Sequence, residues 1–294
     1  MRHWKLALLI VSSALVAVAL FGRVAASRAW SNVGMLALHR ALSLMEAGTK
    51  VPTELSRARL FFRKSLYLDA RNAAAHRGLG FVLWAEGERD LAGEEWRMGG
   101  IPYEDFVEIG IQLADAGDPE SALDWYCRAM AIAPAASEPY AQAGLLLANM
   151  GQDEQALSAL SQAVSFASFR SPSLRLITHS RRAGLLYKLG RTREAMLEYE
   201  WVVAHKPEDY WATLRVGALA WELDQDATRA EAMLLRAAEI DPTQKWAYSR
   251  LGDLYYDLGR RIESVQMYLR VLEIDPNDQS AQRRIQTLRA ESDR

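Results

Sequence analysis

The sequence has a single cysteine, Cys127, among its 294 residues. One thiol excludes an internal disulfide and any zinc site that is built from several cysteines. It also does not distinguish a reducing compartment from an oxidising one. Cys127 is therefore expected to be a small apolar residue inside a helix.

The sequence also lacks an excess of charge, because 35 basic residues face 37 acidic ones and the formal net charge is −2. A general nucleic-acid-binding protein needs surplus Lys and Arg to neutralise phosphates, so the charge balance argues against that class. Glycine-rich phosphate loops, H-E-x-x-H and G-x-S-x-G are absent as well. The sequence therefore predicts no enzyme, no cofactor, no metal site and no small-molecule substrate.

An uncharged run near the amino terminus is the longest apolar stretch, from Leu6 to Gly22. As a helix it would be about 26 Å long, close to the roughly 30 Å of a hydrocarbon core. The run predicts a transmembrane anchor within residues 1–23, with membrane contact through residues 6–22. The alternative is a cleaved signal peptide, with a small-residue site at Val24-Ala25-Ala26 or Ser27-Arg28-Ala29.

The orientation of this anchor is read from the charges that flank it. Arg2 and Lys5 precede the run, and Arg23 and Arg28 follow it, so the positive-inside count is nearly balanced. A short basic tail followed directly by an apolar run is typical of an export signal. We therefore expect a single-pass membrane protein with a cytoplasmic amino terminus and an extracytoplasmic body, periplasmic or extracellular.

The rest of the chain repeats at a period of about 34 residues, and the clearest unit is 245–278. Its landmarks are small, aromatic or helix-ending residues at fixed spacing: Leu251, Gly252, Tyr255, Gly259, Ser264, Tyr268, Val271 and Pro276. The same register recurs upstream. Six units follow from it, at residues 73–102, 103–136, 137–175, 176–209, 210–244 and 245–278.

This pattern resembles the tetratricopeptide repeat, whose signature is W-x2-L-G-x2-Y, then A-x3-F, then P over 34 residues. The resemblance implies an all-α fold, a right-handed superhelical solenoid of antiparallel helix pairs. Residues 24–72 are expected to form an atypical amino-terminal capping repeat. Residues 279–294 are expected to form a closing carboxy-terminal helix.

Each landmark has a physical reason. Small residues at Gly252 and Ser264 let the two helices of one unit approach closely. A glycine that accepts a left-handed backbone conformation ends the first helix of five units. These glycines are Gly87, Gly117, Gly151, Gly190 and Gly259.

In proteins of this family the first helix of each unit lines a concave groove, so the resemblance implies a groove that binds a partner. We predict that large aromatic residues there grip an extended or helical peptide. The alternative is that they pack on the first helix of the next unit. The predicted groove residues are Phe81, Trp84, Ile111, Leu145, Tyr187, Trp221 and Tyr256.

The chain departs from family members that hold a terminal carboxylate with several basic and Asn residues. It offers only Arg77 and Lys188 at the matching places. A basic stretch follows an acidic one along the sequence, and it is either an ordinary solvated surface or a steering patch for an acidic partner or lipid headgroups. Its residues are Arg170, Arg175, Arg181, Arg182, Lys188, Arg191 and Arg193.

Together these features predict a membrane-anchored scaffold for protein–protein interaction. Its expected role is a subunit or assembly factor of a membrane or cell-envelope complex. One alternative is a secreted or surface adaptor released by signal cleavage. Another is an accessory domain of an envelope glycan- or polymer-processing enzyme system.

Overall fold

The computed structural model describes the backbone of residues 3–47 and 52–292, and the side chains of these ranges except residues 3–18, 46, 291 and 292. Within these ranges the chain is helical, without a strand, which confirms the predicted all-α class. The helices are α1 (His3–Glu46), α2 (Pro52–Leu68), α3 (Ala73–Ala85), α4 (Arg89–Met98), α5 (Tyr103–Asp115), α6 (Pro119–Ile132), α7 (Ser137–Asn149), α8 (Asp153–Phe166), α9 (Pro172–Lys188), α10 (Thr192–His205), α11 (Tyr210–Asp224), α12 (Ala227–Ile240), α13 (Lys245–Asp257), α14 (Arg261–Ile274) and α15 (Gln279–Ser292).

The chain divides into two compact units, residues 1–143 and residues 144–294. We call them unit 1 and unit 2. Each unit is built from consecutive helical hairpins, in which short turns bring neighbouring helices into contact. The predicted right-handed superhelix concerns the whole chain and stays a prediction.

The turn inside most hairpins ends its first helix with a left-handed glycine, as the sequence predicts. Gly87 has φ of +86°, and the next residue, Glu88, donates its N–H to the carbonyl of Leu83. That bond satisfies a carbonyl which the helix end would otherwise leave without a partner. The other predicted glycines with positive φ are Gly117, Gly151, Gly190 and Gly259.

In the hairpin of α11 and α12 the residue that ends the first helix is not a glycine. Gln225 takes the left-handed conformation, with φ of +53°, in a turn that the sequence shows to be one residue longer. A non-glycine residue is strained there, and the Gln225 side chain donates a hydrogen bond to the carbonyl of Trp221 at 2.9 Å.

Close approach of the two helices within a hairpin depends on small residues, as predicted for Gly252 and Ser264. A Cβ atom at Gly252 would lie only 2.8 Å from the Tyr268 ring. Ser264 is buried, and its hydroxyl donates to the Gly252 carbonyl at 2.8 Å. A larger residue at Gly252 would therefore displace the ring that fills this contact.

The amino-terminal helix α1 is continuous from His3 to Glu46, whereas the sequence predicts an anchor and a separate capping helix. No proline interrupts it, and residues 23–29 are mostly good helix formers. From residue 27 onward one side of α1 is buried against α2 and α3. The buried residues on that side are Ser27, Ser31, Gly34, Leu38 and Ala41.

A buried polar cluster fixes α1 to α2. The Ser65 hydroxyl donates to the Ser27 carbonyl at 2.8 Å, and Nδ2 of Asn72 lies 2.9 Å from Oγ of Ser27 and 3.0 Å from Oγ of Ser65. Since these buried polar groups partner one another, the position of α1 along α2 is specific.

Within the described residues, no helix is both long and apolar enough to cross a membrane. The predicted anchor, residues 6–22, falls mainly on residues 6–18, whose side chains lie outside the described ones.

At the other end of the chain, α15 packs on α14. Ala281, Ile285 and Leu288, spaced four and three residues apart, are buried against Tyr268 and Val271. This spacing places all three apolar residues on one face of α15, so the helix covers the apolar side of the last hairpin.

Candidate functional site

One surface of unit 2 is lined by residues of α9, α11, α13 and α15. We call it the unit-2 groove, and it contains three depressions. The first has a volume of about 560 Å³ and lies along α9. It is lined by polar and basic residues, among them Asp153, Ser180, Arg181, Lys188, Lys206 and Asp209.

The second depression is a mainly apolar cleft of about 240 Å³ between α11 and α13. The cleft is lined by Trp211, Leu214 and Ala218 of α11 and by Trp246 of α13. Its polar lining consists of Arg215 and Arg250. The cleft is thus an apolar slot bordered by two guanidinium groups.

The third depression, of about 450 Å³, continues from the second because both contain Ala218 and Arg250. It extends along α13 to Arg284 of α15. Its lining is mixed in charge, and the carboxylates are those of Glu222, Asp253 and Asp257.

A large apolar side chain occupies the same repeat position on each of three helices that line the unit-2 groove. Ile177, Trp211 and Trp246 are 50%, 52% and 49% exposed. They are spaced 34 and 35 residues apart, which is the repeat period. We call these three residues the apolar row. The sequence analysis does not identify this row, because the period shows that the three positions are equivalent but not that they are exposed.

Arginines recur at the same period, four residues after each member of the apolar row. Residues four apart on a helix lie on the same face, so each arginine neighbours its apolar partner. Arg284 continues the series on α15. The arginine row consists of Arg181, Arg215, Arg250 and Arg284, all of which line a depression.

Of the predicted groove residues of unit 2, Trp221 lines the third depression, and each aromatic residue already contacts the next helix. Nε1 of Trp221 donates to Oδ2 of Asp257 on α13 at 3.1 Å. The guanidinium of Arg215 lies 4.6 Å from the centre of the Tyr187 ring. These contacts are the alternative foreseen for the aromatics, packing on a neighbouring first helix.

Tyr256 follows the same pattern, since the guanidinium of Arg284 lies 5.3 Å from its ring centre. Its ring also packs against the buried cluster beneath α15. Leu145 is half-buried on α7. The prediction that these residues grip a peptide stays a prediction.

In unit 1 the predicted Phe81 and Trp84 belong to an aromatic cluster with Trp96, Phe106 and Trp125. Nε1 of Trp84 donates to Oδ1 of Asp124 on α6 at 3.0 Å. Both residues therefore pack on neighbouring helices of unit 1. Ile111 of α5 is half-buried.

The predicted basic patch does not form one cluster of side chains. Arg181 and Lys188 line the first depression, where Nζ of Lys188 lies 2.5 Å from Oδ2 of Asp153. The guanidinium of Arg175 lies over the Trp201 ring, at 5.0 Å from its centre.

The remaining patch residues are distributed along α9, α10 and the segments before them, and Arg170 is exposed. Three arginines of the patch pair with carboxylates, and two of these pairs join residues far apart in the sequence. The pairs are Arg182 with Glu198, Arg191 with Glu194, and Arg193 with Asp224.

Most carboxylates of the unit-2 groove already have donors. Oδ1 of Asp253 accepts the hydroxyl proton of Tyr268 at 2.7 Å and lies 3.3 Å from Nη2 of Arg284. Burial, together with this bond to a carboxylate, raises the pKa of Tyr268, so the phenol stays protonated and remains a donor.

The described residues contain no group of three or more His, Cys, Asp or Glu side chains that could hold a metal ion. Cys127 is half-buried, and its burial raises the pKa of the thiol.

Comparison with known proteins gives one family match and several similar structures. Residues 222–290 match a family model described as tetratricopeptide repeat. No curated protein matches the chain.

Several solved structures share the fold. A MamA protein has a TM-score of 0.53 at 18% identity, over 60% of this chain and 93% of its own. MamA from Desulfovibrio magneticus RS-1 (residue 41 to the end) gives 0.51 at 21% identity, over 60% and 97%. YrrB, described as a tetratricopeptide-repeat protein with an unusual peptide-binding site, gives 0.51 at 16% identity, over 76% and 96%. The fold is thus of tetratricopeptide-repeat type, and the family match supports this for residues 222–290.

Proposed function

We propose that the chain is a scaffold that holds a segment of a protein partner in the unit-2 groove, while residues 6–22 hold it at a membrane. The observation that carries the groove assignment is the apolar row. Three large side chains stay half-exposed at the repeat period, and two of them enclose an apolar cleft.

Half-exposed tryptophans are well suited to a partner surface. Each Trp removes a large apolar area from water when it is covered, and it loses little side-chain entropy. Trp and Arg are also the residue types that most often dominate the energy of protein interfaces. YrrB, a protein of the same fold, is described as having an unusual peptide-binding site, so peptide binding is compatible with this fold.

A photocrosslinking amino acid at Trp211 or Trp246 is expected to capture one and the same protein in cells that make the chain natively. The reason is that both positions border the same cleft and would contact one bound segment. The captured protein is identified by mass spectrometry, and the crosslinked residues of the partner should form one continuous segment.

The matched control places the same crosslinker at Leu197 or Ile262. Both are exposed apolar residues of unit 2, on α10 and α14, and neither lines the described depressions. Equal capture at the control positions would contradict the groove assignment. A second measurement is the Trp211→Ala/Trp246→Ala variant, which should lose at least about tenfold in affinity for the captured segment while staying folded.

The membrane part of the proposal rests on the uncharged run from Leu6 to Gly22. The continuous helix α1 and the buried cluster of Ser27, Ser65 and Asn72 would fix the body to this anchor. A scaffold held in this way meets membrane proteins in two dimensions, which suits a subunit or assembly factor of a membrane or envelope complex. We place the amino terminus in the cytoplasm and the body outside it.

Leu15→Arg is expected to move the chain from the membrane fraction into the soluble fraction. An arginine near the centre of a spanning helix costs about 2.5–3.5 kcal/mol on insertion. Leu36→Arg, at an exposed position farther along α1, is the control and should leave the chain in the membrane.

The measurement is extraction at alkaline pH, followed by determination of the amino terminus of the extracted chain. A mature chain that begins near Ala26 or Ala29 would reject the anchor and favour the released adaptor. Digestion by a protease added to sealed cells from which any outer membrane has been removed tests the orientation, because only a body outside the cytoplasmic membrane is degraded.

A further inference from the structure

We infer that the occupant of the unit-2 groove is an extended, acidic protein segment with apolar side chains between its carboxylates. This inference rests on the proposed function, and it adds the chemistry of the partner. It is carried by the arginine row and by its register with the apolar row.

Three of the four residues of the arginine row, Arg181, Arg215 and Arg250, carry positive charge that no described carboxylate neutralises, whereas Arg284 pairs with Asp253. Arg181 and Arg250 are exposed, and neither has a carboxylate partner within the described part of the chain. Arg215 likewise contacts the ring of Tyr187 and no described carboxylate. Because a guanidinium stays charged in proteins and presents several N–H donors, these three side chains are available to bind carboxylates.

The carboxylates beside the arginine row are mostly engaged elsewhere. Asp153 pairs with Lys188, and Asp209 lies 3.3 Å from Nζ of Lys206 and caps the first turn of α11. Asp257 accepts from Trp221. Asp153 and Asp209 therefore do not compensate Arg181, and no described carboxylate forms an ion pair with Arg215 or Arg250.

Asp253 is engaged in the same way, by Tyr268 and Arg284. Glu222 is the lining carboxylate for which the described residues supply no donor. It lies in the third depression, away from the first. The groove thus has its free positive charge along the first and second depressions, so an acidic segment would be held there.

The spacing of the row fits an extended chain. Packed helices lie about 8–10 Å apart, and α11 contacts α13 directly. Since an extended chain advances about 3.3 Å per residue, arginines on neighbouring helices would meet carboxylates about three residues apart. The apolar row lies one helical turn away on the same faces, so apolar side chains between the acids would enter the cleft of Trp211 and Trp246.

A protein segment fits these features better than a nucleic acid or a lipid surface does. The groove also presents Glu222, which has no described donor, and Asp257, whose described donor is the neutral indole of Trp221, and these two charged carboxylates would repel a continuous row of phosphates. A peptide with separated carboxylates meets the arginines and avoids these groups. Charge complementarity therefore selects a segment with spaced acids, not a uniform polyanion.

The test is selection of peptides from a random display library on the full-length protein in mild detergent. Wild-type protein should enrich peptides with Asp or Glu about every third residue and large apolar residues between them. Affinity of the best peptide, measured by fluorescence polarisation, should fall about tenfold or more when its acids become Gln or in the Arg215→Gln/Arg250→Gln variant.

Arg283→Gln/Arg289→Gln is the charge-matched control, because both residues are exposed on α15 and neither lines a described depression, and Arg283 donates within its own helix, to the carbonyl of Gln279 at 3.1 Å. It should leave the affinity unchanged. If this control loses as much affinity as the Arg215→Gln/Arg250→Gln variant, the proposed role of the arginine row in binding is wrong.

The outcomes separate this inference from the proposed function. If the enriched peptides are apolar but not acidic, and if their binding requires Trp211 and Trp246, the inference of an acidic partner is wrong while the proposed binding role of the groove stands. Tighter binding of single-stranded DNA or of anionic vesicles than of any peptide would also overturn it. If no peptide is enriched and crosslinkers at Trp211 and Trp246 capture nothing, the proposed groove function itself fails.

Discussion

Phe62→Ala is expected to lower the free energy of unfolding by about 3–5 kcal/mol, one of the largest losses for a single substitution in unit 1. Phe62 is fully buried. Its ring fills the space over two glycines, so that a Cβ atom at Gly34 of α1 would lie 2.7 Å from the ring and one at Gly78 of α3 only 2.2 Å. Removing the ring leaves a cavity at the point where three helices meet.

The adjacent residue supplies the control. Phe61 is half-buried and stacks on Trp30 with 5.6 Å between ring centres. Such a pair is worth only about 0.5–1.5 kcal/mol beyond its buried area, so Phe61→Ala should cost clearly less. Urea denaturation of the full-length protein in mild detergent measures both losses, and hydrogen exchange should place the Phe62 effect in α1, α2 and α3. An equal loss for Phe61→Ala would contradict this account of the core.

Gly93→Ala is expected to destabilise unit 1, although alanine is usually the better helix residue. A Cβ atom at Gly93 of α4 would lie 2.0 Å from the carbonyl oxygen of Ala131 and 2.5 Å from its carbonyl carbon. These are backbone atoms of α6, which cannot rotate away as a side chain can. The helices must therefore separate, and overpacking of this kind costs about 1–3 kcal/mol or more.

Gly184→Ala is the matched control and should have the opposite sign. Gly184 lies inside α9, where the nearest atom to an added Cβ atom is the Tyr199 hydroxyl at 3.9 Å. Alanine fits there without strain, and it should raise the free energy of unfolding by about 0.5–1 kcal/mol. Thermal or urea unfolding measures the change in stability of both variants. A loss of similar size for both would show that the space around the added Cβ atom is not the cause.

The repeat period is the most informative feature of the sequence, because each landmark obeys a local physical rule. A glycine that must adopt positive φ and a small residue that must admit a ring are identities which few other residues can replace. Gly87, Gly252 and Ser264 therefore indicate the turns and the close contacts from the sequence alone. At Gln225 a residue other than glycine adopts the left-handed conformation, and the sequence pattern does not indicate this.

The candidate site was harder to predict, because the first helix of a unit has several outward positions. The position chosen from the family pattern gave Tyr187, Trp221 and Tyr256, whose rings and polar atoms contact arginine or aspartate of the next helix. The family pattern does not indicate the half-exposed Trp211 and Trp246. Periodicity states which residues are equivalent, but not which of them a neighbouring helix covers.

The sequence by itself determined the helical fold, the hairpin turns and the uncharged amino-terminal run, because backbone conformation and hydrophobicity are properties of nearby residues. Only the tertiary structure decided which charges are available. Arg182 and Arg193 form ion pairs with Glu198 and Asp224, whereas Arg181 and Arg250 are exposed and have no carboxylate partner among the described residues. Charges meet through space across helices, so a count along the chain cannot reveal which of them are neutralised.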